Sequence, residues 1–442
     1  MARRFYTLLV LLALPLASLG VLWRGLRERD YWRGWGERFG RGAPLVGGAR
    51  GLWLHAVSVG EVQAAASLVA ALRREWPGLP LAVTSATPAG RARARAAFGT
   101  GIDARYAPYD LPWCVRAALR RLRPALLVIM ETELWPNLLN ECERAGVRVL
   151  IVSARLSARS RARWSRFGAL LQPALGRGVA IAAQSATDAE GFASLGVPAS
   201  SLRVCGNIKF DREPGTGVRS SGATWRARYA TARPLWVAGS THAGEEQAAL
   251  AAHAAVRSAW PDALLVLAPR HRPRFDEVAR ILTDSGVRWL RHSEVVADPA
   301  GEGAVAARIE VLLLDTIGEL ENFYAAADVA FVGGSLVPVG GHNLLEPAAL
   351  GVATLSGPAQ GNAPDIARLL RENGGLRLVH DAAELGAAVL ALLADQSARA
   401  RMAGAAQATV VANRGALDQA LAMIRDCLAR RERPRPELRQ PG

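Results

Sequence analysis

Residues 125–137 read ALLVIMETELWPN, an apolar run that stops at two carboxylates. Six apolar residues in succession are too few for a buried helix but suit a strand that is covered on both faces. Comparable runs recur along the chain, at 52–57, 81–84, 147–152, 179–183, 202–205, 235–238, 263–268, 311–314, 329–332 and 352–355. Ala/Arg-rich stretches with helical spacing separate them. This alternation predicts parallel sheets whose strands are joined by helices.

The runs fall into two groups. Residues 211–234, which separate the groups, are rich in Gly, Ser, Thr and Arg without an apolar period, and we interpret them as a linker. We predict one Rossmann-like domain over 24–210 and a second over 235–415. A C-terminal segment, 416–442, would hold an amphipathic helix over 416–431 and a disordered Arg/Pro-rich tail. Open α/β domains bind ligands at the carboxyl ends of their strands, so we expect the ligands in a cleft between the two domains.

Composition excludes several classes of protein. The chain has 442 residues, 50% of them hydrophobic and 21% charged, which suits two globular domains and excludes a disordered or collagen-like chain. The four cysteines, Cys114, Cys142, Cys205 and Cys427, lie far apart and form no metal-knuckle spacing. The sequence therefore favours a reducing compartment over a disulfide framework or a structural zinc site.

The N-terminus predicts a membrane anchor over residues 1–23. Residues 5–23 carry no charge, and a helix of that length extends roughly 28 Å, about the thickness of the hydrocarbon core. More arginines follow this run than precede it, so the positive-inside rule puts the N-terminus outside and the rest of the chain in the cytoplasm. The alternative is a signal peptide that is cut near residues 17–20, although such peptides normally lack a basic, aromatic downstream flank.

The net charge of +15 suits an anionic partner: a nucleic acid, a membrane surface or a phosphorylated substrate. Nearly all the cationic side chains are arginines, and Lys209, in GNIKFD (206–211), is the only lysine. A compact ammonium is needed where a point charge must meet one oxygen in a tight site. The alternative is a surface ion pair between Lys209 and Asp211.

SVGE (58–61) lies between the run 52–57 and a helix that we expect to start near Val62. Glu61 would then sit at the carboxyl end of a strand and face the cleft. The helix N-terminus would keep its carboxylate ionised, as a general base requires. Because Ser58-x-x-Glu61 also fits a capping box, a purely structural role is the alternative.

ETELWPN (131–137) directly follows the apolar run 125–130. Two carboxylates at the mouth of a parallel strand are poorly placed for packing, which favours a functional role. Glu131 is closer to the strand end and is the preferred functional carboxylate. Helix capping by Thr132 or Glu133 is the alternative.

Polar motifs also follow the runs of the second group: STH (240–242), PRH (269–271), DTIGE (315–319), GGS (333–335) and GGHNLLE (340–346). Glycines allow backbone N–H groups to approach an anion, and a helix that begins at Asn343 would add its dipole. Arg270 could bind a phosphate in bidentate fashion, and Glu346 could accept both hydroxyls of a ribose, unless Asn343 and Glu346 form a capping box. His242 and His342 have no partner at metal-ligand spacing. These features predict a nucleotide-sugar transferase.

The motifs resemble those of the 3-deoxy-D-manno-octulosonic acid (Kdo) transferases of lipopolysaccharide synthesis. The matching stretches span nearly the whole chain in order: LHAVSVGEV (54–62), ETELWPN (131–137), GNIKFD (206–211), STHAGEE (240–246), PRH (269–271), DTIGEL (315–320) and GGSLVPVGGHNLLEPAALG (333–351). The N-terminal apolar run and residues 32–40 fit the single membrane anchor of that family.

The resemblance implies a GT-B glycosyltransferase, with two Rossmann-like domains that face a cleft and one N-terminal transmembrane helix. It implies transfer of Kdo from CMP-Kdo to the lipid A precursor (lipid IVA), with inversion at the anomeric carbon and release of CMP, and without a metal ion or cofactor. Glu61 would be the proton acceptor, and Glu131 and Lys209 would stabilise the transition state. The implied CMP contacts are Pro269, Arg270, Ile317, Gly318, Glu319, Asn343, Leu344, Leu345 and Glu346. The implied location is the cytoplasmic side of the inner membrane, with membrane lipids and no nucleic acid as partners.

The sequence departs from the family pattern at three positions: the family usually has Pro at Leu344, Glu at Ala243 and Phe at Ala363. The last change leaves the packing of its loop open. Other GT-B enzymes, such as a heptosyltransferase or a lipid-A-disaccharide synthase, would keep the fold with a different donor. A membrane-tethered nucleic-acid-binding protein would explain the charge, but the sequence has no base-reading motif and no basic strand interleaved with aromatic residues.

Overall fold

The computed structural model describes residues 2–27, 29–45, 50–99, 101–157, 160–162, 164, 168–297 and 309–429, and these form two compact units. The first unit is built from the described parts of Met1–Arg212 and Asn413–Gly442, and the second is built from those of Glu213–Ala412. The chain therefore returns to the first unit after it has completed the second.

The first unit holds a parallel sheet. Its strands are β1 (Leu52–His55), β2 (Leu81–Ser85), β3 (Asp103–Tyr106), β4 (Leu126–Met130), β5 (Arg148–Ala154), β6 (Val179–Ala183) and β7 (Leu202–Val204). Within the described residues, the order is β3-β2-β1-β4-β5-β6-β7 and every neighbouring pair is parallel. All residues of β1, β2 and β4 are buried, so these apolar runs are strands covered on both faces, as predicted.

Helices connect these strands and cover the sheet. They are α1 (Ala2–Arg27), α2 (Val59–Ala64), α3 (Ala66–Glu75), α4 (Pro88–Phe98), α5 (Pro112–Leu122), α6 (Pro136–Arg144), α7 (Gly168–Gly178) and α8 (Ala186–Ser194). Several begin at Pro, which tolerates the first helical turn because the N–H it lacks has no partner there. The short connections leave the polar residues after each strand at the carboxyl edge of the sheet.

The second unit has the same kind of architecture. Its strands are β8 (Leu235–Thr241), β9 (Leu264–Pro269), β10 (Trp289–Arg291), β11 (Val311–Leu313), β12 (Val329–Val332), β13 (Ala353–Ser356) and β14 (Leu376–Leu378). Its helices are α9 (Val218–Ala230), α10 (Glu245–Ala259), α11 (Phe275–Asp284), α12 (His292–Ala297), α13 (Leu320–Ala326), α14 (Leu345–Leu350), α15 (Pro364–Glu372), α16 (Ala382–Ala394) and α17 (Gln396–Ala412). The described strands form one parallel sheet in the order β10-β11-β9-β8-β12-β13-β14.

The predicted linker, 211–234, contains helix α9 and falls mostly within the second unit. An apolar period is missing there because α9 packs through small and aromatic residues. A Cβ at Gly222 would lie 2.6 Å from Ala325, and Trp225 stacks on Phe323 with ring centroids 5.7 Å apart. Helix α9 is therefore held against α13 by these contacts and not by a stripe of apolar residues at helical spacing, which is the pattern that would have predicted a helix from the sequence.

The C-terminal helix α18 (Ala416–Ala429) belongs to the first unit, where it packs on α3. Its buried residues Leu421 and Ile424 join the same core as Leu52 and Val128. The predicted tail, 430–442, lies outside the described residues.

Three strands escaped the sequence analysis: β3, β10 and β14. Each is short, lies at an edge of its sheet, and carries charged residues, such as Arg105 in β3 and Arg377 in β14. Because an edge strand has only one neighbour, its side chains need not be apolar throughout. Among the described strands, a search for apolar runs therefore finds the central ones but only one of the four edge strands, β7.

The carboxyl edges of both sheets contain strained backbone. Glu131, Ser153 and Ser240 have left-handed conformations, with φ of 56°, 52° and 58°. Ser153 and Ser240 coincide with breaks in the strand register of β5 and β8. Such conformations are costly for residues other than glycine and cluster at functional sites.

Helix α1 is long and apolar enough to cross a membrane, and its leucines, such as Leu16 and Leu26, are exposed. The first turns of α1 contact the rest of the first unit. The Tyr6 hydroxyl donates to Asp110 Oδ2 at 2.9 Å, and Arg3 lies 3.7 Å from the buried Glu141.

Candidate active site

Glu61 lies in the first turn of α2, directly after β1. The Ser58 hydroxyl accepts a hydrogen bond from the Glu61 N–H at 3.2 Å and donates to Glu61 Oε1 at 3.0 Å. Glu61 Oε2 accepts from the Val57 N–H at 2.8 Å. The side chain therefore forms a capping arrangement, and the helix begins at Val59, before the predicted Val62. These bonds fix the carboxylate at the carboxyl edge of the sheet.

Capping does not keep the Glu61 carboxylate strongly ionised, contrary to the sequence prediction. Its side chain is 8% exposed, and this burial raises its pKa to about 7. The nearby carboxylates of Glu133 and Glu131 shift the pKa in the same direction, against the hydrogen bonds from Val57 and Ser58. A carboxylate with a pKa near neutral is a stronger base than an ordinary glutamate, and a larger fraction of it is protonated at pH 7.

Glu131 and Lys209 form an ion pair in the first unit. Lys209 Nζ donates to Glu131 Oε1 at 2.7 Å, although the two residues are 78 positions apart. Glu131 directly follows β4, and its N–H still bonds Val152 O of the neighbouring strand. Its left-handed backbone is the point at which the chain leaves the sheet. Glu61, Glu131 and Lys209 are thus brought to one edge of one sheet.

The alternative of a surface pair between Lys209 and Asp211 is wrong. The carboxylate of Asp211 accepts hydrogen bonds from the N–H groups of Gly415 and Leu417, at 2.6 and 2.8 Å, and so caps the C-terminal helix. Lys209 itself lies in a short 3-10 turn, where its N–H donates to Asn207 Oδ1 at 3.0 Å. This turn directs the lysine to Glu131.

The capping alternative for Thr132 and Glu133 is also wrong. The Thr132 hydroxyl donates to Arg155 O, and Glu133 Oε2 accepts from Trp135 Nε1 at 2.6 Å. The N–H groups at the start of α6 bind Asp110 instead, a residue that the sequence analysis did not select. Asp110 Oδ1 accepts from Leu138 N–H at 2.7 Å. Burial raises the pKa of Glu133, and Glu131 adds to the effect.

In the second unit, a buried glutamate organises the glycine-rich loop after β12. Both oxygens of Glu245 accept backbone N–H groups: Oε2 from His242 and Gly334, Oε1 from Ser335 and Leu336, at 2.6–2.9 Å. The expectation that the glycines of this loop offer N–H groups to an anionic ligand is therefore wrong for Gly334. The N–H of the next residue, Ser335, is occupied in the same way. The anion that they bind is the chain's own Glu245. Sequence analysis missed Glu245 because a glutamate in a first helical turn suits any helix.

Three histidines lie beside this loop. His242 Nε2 and His342 Nε2 are 2.8 Å apart, and the two rings are stacked with centroids 5.0 Å apart. The ring of His271 meets that of His242 edge-on at 5.3 Å. Pro269 ends β9 and is buried, whereas Arg270, the next residue, is exposed.

The predicted CMP contacts around residue 318 form an exposed turn before α13. Ile317 is 69% exposed, and Gly318 has a φ of 95°, a conformation that favours glycine. Glu319 Oε2 lies 3.4 Å from Nε2 of the buried His292. This turn follows β11 at the carboxyl edge of the sheet, as predicted.

The last predicted contacts, 343–346, open helix α14. Asn343 Oδ1 accepts from Leu345 N–H at 3.2 Å, and its Nδ2 donates to Glu346 Oε1 at 3.1 Å. The two polar side chains thus bind each other in an arrangement close to the capping alternative. The side chains of Leu344 and Leu345 are 2% and 5% exposed, so they pack in the core.

Within the described part of the chain, there is no group of three His, Cys, Asp or Glu residues that could hold a metal ion. The four cysteines are free and buried.

Comparison with known proteins identifies the family. A family model for 3-deoxy-D-manno-octulosonic-acid transferase (kdotransferase) matches residues 33–212. The 3-deoxy-D-manno-octulosonic acid transferase of Haemophilus influenzae is 37% identical over 97% of this chain and 100% of the relative. The enzyme of the same name from Bordetella pertussis is 38% identical, with the same coverage.

The chain belongs to the Kdo transferase family. It is therefore a glycosyltransferase, and its two parallel-sheet units are those of a GT-B fold. A crystal structure of a glycosyltransferase from Rickettsia africae supports the fold: it is 11% identical, covers 86% of this chain and 99% of its own, and has a TM-score of 0.56. These relatives match nearly the whole chain, which confirms the family resemblance inferred from the sequence motifs.

Proposed function

We propose that this transferase moves Kdo from CMP-Kdo to the lipid A precursor (lipid IVA), with inversion at the anomeric carbon, in lipopolysaccharide inner-core synthesis. The observation that carries the proposal is the Glu61 carboxylate, held by Val57 and Ser58 at the edge of the sheet with a pKa raised to about 7. A hydroxyl is a poor nucleophile until a base removes its proton, and such a carboxylate suits that task.

The proposed reaction is a single displacement. Glu61 takes the proton of the 6′-hydroxyl of the acceptor glucosamine, and the resulting oxygen attacks the anomeric carbon of Kdo. The bond from that carbon to the phosphate oxygen breaks, and CMP leaves with the electron pair from the opposite face. One bond forms as one breaks, so the configuration inverts. The proton remains on Glu61 until solvent removes it.

Glu131 and Lys209 are proposed to stabilise the transition state. The 2.7 Å ion pair holds the ammonium at one defined oxygen, in a part of the first unit that is also occupied by Glu61. A preorganised charge stabilises the transition state without reorganisation at the moment of reaction. The proposed CMP contacts remain Pro269 and Arg270, Ile317–Glu319 and Asn343–Glu346. The side chains of Leu344 and Leu345, however, cannot take part.

The family resemblance further suggests transfer without a metal ion. The chain has its own cations for the departing charge, with Arg270 exposed at the carboxyl edge of the second unit. Transfer that continues undiminished in excess EDTA would support this, and loss of activity that added Mg²⁺ restores would refute it.

We also propose that α1 spans the inner membrane once, with both units on the cytoplasmic side. Insertion would cost the contacts of Arg3, Tyr6 and Thr7 with the rest of the first unit, at about 0.5–1.5 kcal/mol each. Residues 5–23 contain eleven Leu, Val and Phe, which favour insertion by about 3–7 kcal/mol in total. The anchor would keep the transferase near an acceptor whose acyl chains stay in the bilayer.

The test is a transfer assay on the purified full chain in detergent. Incubation with CMP-Kdo and lipid IVA should give a product whose mass has grown by Kdo, and mass spectrometry will count the residues added. UDP-sugars and ADP-heptose in place of CMP-Kdo should give none. Transfer from one of those donors, without transfer from CMP-Kdo, would refute the proposal in favour of another GT-B activity.

A further inference from the structure

The histidines of the second unit come from three neighbouring strands. His242 follows β8, His271 follows β9, and His342 lies in the loop after β12, while the sheet order runs β9-β8-β12. The fold thus brings three imidazoles from three parts of the sequence to one carboxyl edge. The loop is shaped to admit them, because a Cβ at Gly334 would lie 2.7 Å from the ring of His342.

This arrangement differs from that of a structural histidine in the same unit. His253 is buried, accepts from Trp236 Nε1 at 3.0 Å and donates from Nε2 to Glu310 O at 2.9 Å, so both ring nitrogens have fixed partners. In contrast, His242 and His342 are only half-buried and face each other through Nε2, so one proton lies between them. Two imidazoles that share one proton are not the arrangement expected of histidines that serve only to stabilise the fold.

The protonation of the pair follows from its surroundings. Burial lowers the pKa of His342 to about 4, and the charges of Arg270, His242 and His271 add to the effect. His342 is therefore neutral at pH 7, and the tautomers of the pair determine which of the two facing Nε2 atoms carries the shared proton. In either case, the imidazole that accepts at Nε2 carries its own proton on Nδ1, and that nitrogen is a donor.

Other potential anion receptors nearby are occupied. Glu245 takes the N–H groups of Gly334 and Ser335, as described above. Arg274 binds Glu246 and Glu277, at 2.5 and 2.9 Å. Arg270 is exposed and, among the described residues, forms no ion pair. The donors left at this edge are one guanidinium and the imidazoles.

We propose that His242, His271, His342 and Arg270 together bind the phosphate group of the donor nucleotide. The inference rests on the proposed function and adds the histidines to the predicted contact of Arg270. Imidazole N–H groups and a guanidinium offer the phosphate charge-assisted hydrogen bonds in a region whose own carboxylate, Glu245, is already saturated by backbone donors. The same bonds would hold the phosphate as it gains charge on leaving.

The experiment compares CMP with cytidine, which lacks the phosphate. Binding of each is measured by ligand-observed NMR to the full chain in detergent, for the parent, His242→Gln, His342→Gln and the double variant. His380→Gln is the matched control, because His380 is exposed in the same unit and pairs with Glu384 at the start of α16. Thermal melts show which variants fold.

Each histidine variant should weaken CMP binding roughly tenfold or more and leave cytidine binding within about twofold of the parent. The double variant should lose little more than a single one, because the pair shares one proton. His380→Gln should change neither affinity. Equal loss of CMP and cytidine binding would point to a structural role and overturn the inference, as would parental CMP binding in both single variants.

The outcomes also separate this inference from the proposed function. If the parent transfers Kdo from CMP-Kdo while the folded histidine variants bind CMP normally, only the phosphate site is wrong. If the parent binds CMP through the histidines but transfers no Kdo, the proposed function fails and the site stands. A parent that does not bind CMP refutes both.

Discussion

The role of Glu61 can be tested by a single substitution, Glu61→Gln. Glutamine keeps the size of the side chain and its ability to accept from the Val57 N–H, but it cannot take a proton from an acceptor hydroxyl. We expect kcat to fall on the order of a hundredfold or more, because general-base catalysis contributes about that much. The affinity for CMP should not change, since the proposed contacts lie in the second unit.

The stability effect has a pH dependence that a capping role alone does not predict. Burial raises the pKa of Glu61 from 4.5 to about 7 in the folded chain. The folded chain therefore holds this proton more tightly than the unfolded chain. Wild-type stability should fall as the pH rises from about 4.5 to about 7, by about 3 kcal/mol in total, and Glu61→Gln should lack this decline. At pH 8 the variant should be at least as stable as the parent, since the lost acceptor oxygen costs only about 1 kcal/mol.

Glu384→Gln provides the matched control. Glu384 is also the third residue of its helix, α16, and its carboxylate also accepts from the N–H before the cap residue, from His380 at 2.9 Å. It is exposed and lies in the second unit. Because the side chain is exposed, its substitution should change the stability little and leave the rate unchanged.

The assay measures kcat/KM for Kdo transfer between pH 5.5 and 8.5, with melts at each pH. The parent should gain activity through a pKa near 7, as Glu61 ionises, and the residual rate of Glu61→Gln should lack this rise. Near-parental transfer by a folded Glu61→Gln would refute the reasoning, and Glu131 would then be the candidate base. The same pH rise in the variant would assign the ionisation to another group.

Three further predictions concern other parts of the chain. Lys209→Arg should reduce kcat roughly tenfold or more, because the planar guanidinium cannot reproduce the 2.7 Å contact of the ammonium with Glu131; full activity in a folded variant would contradict this. Glu245→Gln should lower the free energy of unfolding by about 3 kcal/mol, because its NH₂ group would face buried N–H donors; an unchanged melting curve would argue against the clamp on residues 334–336. Deletion of residues 1–23 should leave a folded protein that binds CMP and needs detergent or lipid to reach its acceptor, whereas extraction of the full chain by alkaline carbonate would refute the anchor.

Among the described elements, the sequence was sufficient for the central strands and for the edge strand β7, but not for the other three edge strands or for α9. Central strands such as β4 are covered on both faces, so their burial is recorded in the sequence as a continuous apolar run. Edge strands such as β3 carry charges, and α9 packs through Gly222 and Trp225. These elements are determined by the residues that they contact in the folded chain, and their own hydrophobicity does not reveal them.

The positions of the candidate residues at the strand ends were predictable, but their partners were not. Lys209 could be singled out as the only lysine, yet its choice of Glu131 over Asp211 depends on which strand lies beside the turn at 208–211. Asp211 is nearer in sequence and instead caps the C-terminal helix, more than 200 positions away. The same holds for Glu245, which accepts three of its four N–H groups from a loop about 90 positions further along the chain. Such pairings are decided by tertiary structure alone.

Two buried glutamates at similar positions in the fold differ in their hydrogen bonds, and this difference indicates a structural role for one and a catalytic role for the other. Glu61 and Glu245 each lie in the first turn of the helix after the first strand of their unit, and both side chains are less than 10% exposed. Glu245 accepts four backbone N–H groups, which occupy the acceptor sites of both its oxygens. Glu61 accepts from one N–H and one hydroxyl, which leaves lone pairs for an incoming proton. The number of fixed donors, rather than the position in the fold, therefore makes Glu61 the candidate base and Glu245 the support of a loop.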